Sequence, residues 1–68
     1  MLEDYARTLT CGDVIQHVLG KKLCVIKQES IAESRYSVIL KINCRFIAAD
    51  GLFYNNLFYP EELEYTDD

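Results

Sequence analysis

The sequence has no tryptophan, a single proline and only three glycines in 68 residues. Gly12, Gly20 and Gly51 are isolated from one another, so there is no glycine-rich loop to cradle a phosphate. No apolar run approaches the ~20 residues that a membrane-spanning helix needs. Residues 1–10 carry Glu3, Asp4 and Arg7 where a secretory leader would need an apolar stretch, and no leader is expected. The three cysteines are odd in number and include no Cys-x-x-Cys pair, which argues against a secreted disulfide framework. A reducing cytoplasm is the expected compartment. Positive charge is also scarce, with seven Lys and Arg against eleven Asp and Glu and a net charge of -4. Part of the acidic excess sits in the tail Glu61, Glu62, Glu64, Asp67 and Asp68. Affinity for phosphate backbones comes from Lys and Arg displacing counterions, so an acidic chain is poorly suited to nucleic acid. The exception would be a local cluster drawn from the mid-chain cations Lys21, Lys22, Lys27, Arg35, Lys41 and Arg45.

What is present is apolar material in short pieces. Half of the residues are hydrophobic and 26% are charged, which is the composition of one folded domain rather than a disordered chain. Leu2, Tyr5 and Leu9 fall near one helical face, so residues 1–10 are expected as an arm or a helical turn. A single domain is expected over residues 11–68. Asp13 to Val18 and Lys22 to Gln28 read as strands on either side of the Leu19-Gly20-Lys21 turn. Glu29 to Ser34 reads as a polar connector. Arg35 to Ile42 alternates cleanly as a third strand, with Tyr36, Val38, Leu40 and Ile42 on one side, and Asn43 breaks it as a tight turn or a bulge. Cys44 to Ala49 and Leu52 to Tyr59 follow as two more strands. Asp50-Gly51 between them predicts a two-residue type I′ hairpin, which needs positive φ at both central residues. Asn55-Asn56 interrupts the alternation, and a β-bulge is expected there. Pro60 ends the ladder because it has no N–H to donate. Glu61 to Tyr65 closes the chain as a helical turn or short strand, with Leu63 and Tyr65 inward. About five short antiparallel strands with tight turns predict a mainly-β chain folded as a small, closed or half-closed barrel, with short helical turns at its ends.

Two stretches, taken together, resemble a known group. Gly12-Asp13-Val14-Ile15-Gln16-His17 followed by Gly20 and Val25 resembles the G-D-V-V-x-H…G…M-x-V opening of small stand-alone SH3-like proteins of bacteria and their phages. Cys44-Arg45-Phe46, Asp50-Gly51-Leu52-Phe53 and Phe58-Tyr59-Pro60-Glu61-Glu62-Leu63-Glu64 are similar to their C-R-Y…D-G-x-F…F-x-x-E-E-L-E close. The resemblance covers about half of the chain, implies an SH3-like barrel and transfers no catalytic residue. The chain departs from the pattern in a longer middle, Glu29 to Asn43. Peptide-binding SH3 domains hold proline-rich ligands with an exposed Trp and a run of Tyr, and neither can be read here.

No enzyme, cofactor or metal site is expected. Cys11, Cys24, Cys44 and His17 supply ligand types for zinc, but their spacing matches no known module. Cys24 and Cys44 lie inside apolar strands, where a free cysteine acts as a small hydrophobe. A Cys–His nucleophile would need a supporting oxyanion site that nothing in the sequence announces. The aromatic residues are more informative. With Ala49 and Leu52 flanking a two-residue turn, alternation sets Phe46 and Phe53 on one face and Arg45, Ile47, Leu52 and Tyr54 on the other. The latter four form the expected partner-binding face, for an unidentified protein or a second copy of the chain, with no membrane partner. The alternative is a nucleic-acid accessory protein, which requires Lys22, Lys27, Lys41 and Arg45 to cluster beside stacking aromatics.

Overall fold

The computed structural model describes residues 1–66, so Asp67 and Asp68 of the acidic tail lie outside the described residues. A four-residue helix, α1 (Glu3–Ala6), is followed by strands β1 (Val14–His17), β2 (Lys22–Ala32), β3 (Val38–Ile47) and β4 (Phe53–Phe58). A 3-10 turn over Pro60–Glu62 leads into the short strand β5 (Leu63–Glu64). All pairings are antiparallel, in the order β4-β3-β2-β1-β5, and the sheet curls into a half-barrel. The chain is therefore mainly β with five antiparallel strands and a helical turn near each end, as its patterning predicts. None of the described helices is long and apolar enough to cross a membrane.

The strands differ from expectation in the middle of the chain. Glu29 to Ala32 extends β2 instead of forming a connector, and Asn43 continues β3 instead of breaking it. The irregularity falls on the partner strand: the β2–β3 register shifts between Val25 and Lys27, leaving Ile26 as the extra residue opposite Cys44 and Asn43. Such a bulge bends its strand and adds twist, which lets one long hairpin wrap a core. No bulge occurs at Asn55-Asn56, because β4 pairs with β3 in unbroken register from Phe53 to Phe58. The fifth strand comes from Leu63–Glu64, not from splitting residues 35–49.

Both short hairpins use one device. Gly20 N–H donates to His17 O and His17 N–H to Lys21 O, each at 2.7 Å. Gly51 N–H donates to Ala48 O and Ala48 N–H to Leu52 O, each at 3.0 Å. These are three-residue loops closed by a glycine in the left-handed region, with φ +99° at Gly20 and +81° at Gly51. Asp50 does not take positive φ, so the expected type I′ turn is replaced by a loop one residue longer.

The core lies on the concave face. Ile15, Leu23, Val25, Leu40, Ile42, Cys44, Phe58 and Leu63 are buried there, and Ala6 and Leu9 of the N-terminal segment pack over them. Gln28 turns toward the same side, because it pairs with Ile42. Its Nε2 donates to Leu9 O at 2.9 Å and to Arg7 O, tying the segment down across the sheet. The Met1 nitrogen donates to Leu63 O at 2.7 Å. Pro60 ends the β4 ladder, and Tyr59 N–H and Glu62 Oε2 close the turn at 2.9 Å. Leu63 is fully buried as expected, whereas Tyr65 is half exposed and meets the Tyr5 ring edge-on at 4.5 Å.

Candidate functional site: the convex face of the sheet

Alternation along β3 buries Leu40, Ile42 and Cys44 and sends Lys41, Asn43, Arg45 and Ile47 to the convex side. Residues directly opposite in an antiparallel pair share a face. The row Val14, Cys24, Arg45, Asn55 therefore crosses four strands on the convex side, and Ile47 sits beside Phe53. Ile47 is 56% exposed and Phe53 67%, unusually open for apolar strand residues in a domain this small. With Val14, Cys24, Lys22 and Arg45 they line a depression of about 320 Å³.

Charge is concentrated on the same face. Lys22 alternates with the buried Leu23, Lys27 pairs with Asn43, and Lys41 and Arg45 follow the phase of Ile47, so all four cations point outward. Lys27 meets Glu29 at 3.4 Å, an exposed pair worth little. Lys41 Nζ stands 4.5 Å above the Tyr59 ring, and Arg45 Nε donates to Asn55 Oδ1 at 3.4 Å. Glu64, bonded to Gln16 Nε2 at 2.7 Å, is the second acid on this side. Glu3, Asp4, Asp13, Glu33, Asp50, Glu61 and Glu62 lie off these convex-face rows, in the N-terminal segment, the turns and the 3-10 turn. An acidic chain thus carries a sheet face with an excess of cations.

The expected partner-binding set is split by this register. Arg45 and Ile47 lie together on the convex side, and Leu52 stands opposite Ala48 at the mouth of the hairpin loop. Tyr54 pairs with Phe46 and stands on the opposite, concave side, where the two rings stack with centroids 6.3 Å apart. Phe53, expected beside Phe46, takes the place beside Ile47 instead. The cause is the extra loop residue, since a one-residue change of register moves every side chain of a strand to the other face. Tyr54 donates its hydroxyl to Asp50 Oδ2 at 2.5 Å, and Leu52 N–H donates to Asp50 Oδ1 at 2.9 Å. The Tyr54 hydroxyl, followed by the Leu52 N–H, lowers the Asp50 pKa; the same bond raises that of Tyr54.

The other chemistry-bearing residues do not converge. Cys44 is buried in the core, and burial, with a smaller contribution from Cys24, pushes its thiol pKa up to about 12. Cys24 is exposed on the convex side and Cys11 is exposed in the turn before β1. His17 is on the concave side, its ring 5.5 Å from Phe58 and its Nδ1 accepting the Leu19 N–H at 3.0 Å. Among the described residues no three His, Cys, Asp or Glu side chains come together as metal ligands. Val14, Cys24 and Phe53 are convex-face residues that sequence reasoning missed. The alternation of β1 and β2 carries the signal for the first two; for Phe53 the loop length decides.

No protein-family model matches the chain, and neither a curated protein nor a solved structure matches it significantly.

Proposed function

We propose that this chain is a small, non-enzymatic interaction module of the SH3-like kind, acting in the cytoplasm and binding a protein partner through the convex face of its sheet. The observation that carries the reading is the exposed apolar set Val14, Ile47 and Phe53 bordered by Lys22 and Arg45 around one depression. Interfaces draw their affinity from a few desolvated apolar anchors and Arg within a polar rim. The partner that fits presents apolar side chains flanked by acidic ones. The test is affinity capture with the full chain, comparing wild type with Val14→Asp and Ile47→Asp, and with Leu19→Asp as a control away from the face. Loss of the captured protein in the first two and retention in the third supports the reading; retention in all three removes it.

A second reading is favoured by one observation, the shared orientation of Lys22, Lys27, Lys41 and Arg45. Together with Phe53 and Tyr59 they would suit a single nucleic-acid strand held by backbone charge and base stacking. A gel shift at low salt separates the two readings, because no retardation at about ten micromolar or above leaves only non-nucleic-acid partners.

A further inference from the structure

The two edges of the sheet are guarded very differently. Exposed edges are normally protected by shortness, charge, proline or a bulge. At one edge β5 is two residues long. At the other, β4 spans six residues, Phe53-Tyr54-Asn55-Asn56-Leu57-Phe58, with no charge, no proline and no register shift. The hairpin decides which of its backbone groups are free. Ala48 N–H bonds to Leu52 O, so the even-numbered residues of β4 turn toward β3. Phe53, Asn55 and Leu57 therefore turn their N–H and C=O groups to the open side. Leu57 N–H is bonded at 2.9 Å to the side chain of the adjacent Asn56, a local contact that a carbonyl from another strand can replace.

We propose that β4 pairs antiparallel with β4 of a second copy of the chain, about a two-fold axis at Asn55. The occupant follows from the self-complementarity of the strand, which is what a two-fold interface requires. Centring on Asn55 sets Asn55 opposite Asn55 of the second copy and Phe53 opposite Leu57 of the second copy, twice by symmetry. Those are the residues whose backbone groups are free, so every pair exchanges N–H···O bonds. Phe53 and Leu57 both lie on the convex face, so each symmetric contact is an aromatic–aliphatic cross-strand pair. No charged side chain of β4 meets a like charge. One strand pair is small beside the roughly 1,200–2,000 Å² of stable complexes, so the dimer forms with rising concentration. This pairing does not rest on the convex-face reading: it uses the strand edge and, although it takes up Phe53, it leaves Val14 and Lys22 open.

The experiment is sedimentation of the full chain over a concentration series, comparing wild type, Asn55→Pro and Asn55→Lys. Proline at position 55 removes an N–H that faces the open side, a substitution that edges tolerate, together with the exposed Oδ1 that accepts from Arg45 Nε. Lysine places two ammonium groups directly opposite each other. The wild type is expected to move from monomer to dimer mass, and both variants to associate at least about tenfold more weakly. Val14→Asp, which addresses the convex-face reading, is expected to dimerise like wild type. Thermal unfolding of each variant confirms the fold, and if Asn55→Pro does not fold, Asn55→Lys carries the test. A wild type that stays monomeric throughout, or a dimer that survives the Asn55 changes in folded protein, overturns the proposal.

Discussion

Ile42 and Ile47 stand on one strand, five positions apart, and the first is sealed while the second is more than half exposed. The difference is parity. Residues in phase with Ile42 turn to the concave side, where Ala6 and Leu9 and the carbonyls held by Gln28 roof the core. Residues in phase with Ile47 turn to the convex side, which no element among the described residues covers. A domain of this size buries only about 60% of the surface its unfolded chain exposes, so one sheet face goes to the core and the other stays open. The contrast teaches that apolar residues of the same kind do different work according to register alone.

The sharpest way to break this contrast is to truncate both isoleucines. Ile42→Ala is expected to cost about 2–5 kcal/mol, a large part of the stability of a chain this short. Ile47→Ala is expected to stay within about 0.5 kcal/mol. Urea unfolding of the two variants measures the gap, and equal losses would show that the faces are assigned wrongly.

A smaller effect tests the roof. Gln28→Ala leaves the Leu9 and Arg7 carbonyls without their donor, which is expected to cost about 1–3 kcal/mol. Faster amide exchange in residues 1–10, with β3 still protected, would locate that loss in the N-terminal segment. Uniform exchange would show that the segment is not a separate layer.

The smallest effect concerns the hairpin that sets the phase. The Asp50 pKa is lowered in the folded chain, so its contribution to stability is present above the ordinary value of 3.8 and is lost as pH falls through the lower folded value. Wild type is expected to unfold slightly later than Asp50→Ala at neutral pH, and the difference to close under acid. A difference independent of pH would mean that the carboxylate bonds to Tyr54 and Leu52 do not stabilise the hairpin.

Much of this architecture is legible in the sequence, for identifiable reasons. β1, the start of β2, β4 and the stop at Pro60 follow from β-branched and aromatic runs bounded by glycine and proline. The inward Leu63 follows from the pattern after that stop. Asn43 misleads because asparagine usually punctuates, yet here it continues a strand opposite the bulge at Ile26, and its Oδ1 is shielded with no donor among the described residues. Only the long-range pairing of β2 with β3 can reveal that. The candidate face is half legible. Arg45 and Ile47 belong to it, but a single extra loop residue before Leu52 exchanges Tyr54 for Phe53, and Asp50-Gly51 is compatible with either loop length. Gln28 escapes notice because an inward glutamine has meaning only once the N-terminal segment is seen lying across it.

The assignment of the two faces is the claim on which the rest stands, and the cysteines report on it directly. Cys24 is exposed on the convex side, whereas Cys44, on the next strand, is buried with its thiol pKa pushed up to about 12. The thiolate is the reactive form, so brief alkylation of the folded chain at pH near 8, read by peptide mass, separates them. The account predicts prompt labelling of Cys24 and protection of Cys44 until the chain is unfolded. Labelling of Cys44 as fast as Cys24 would contradict it.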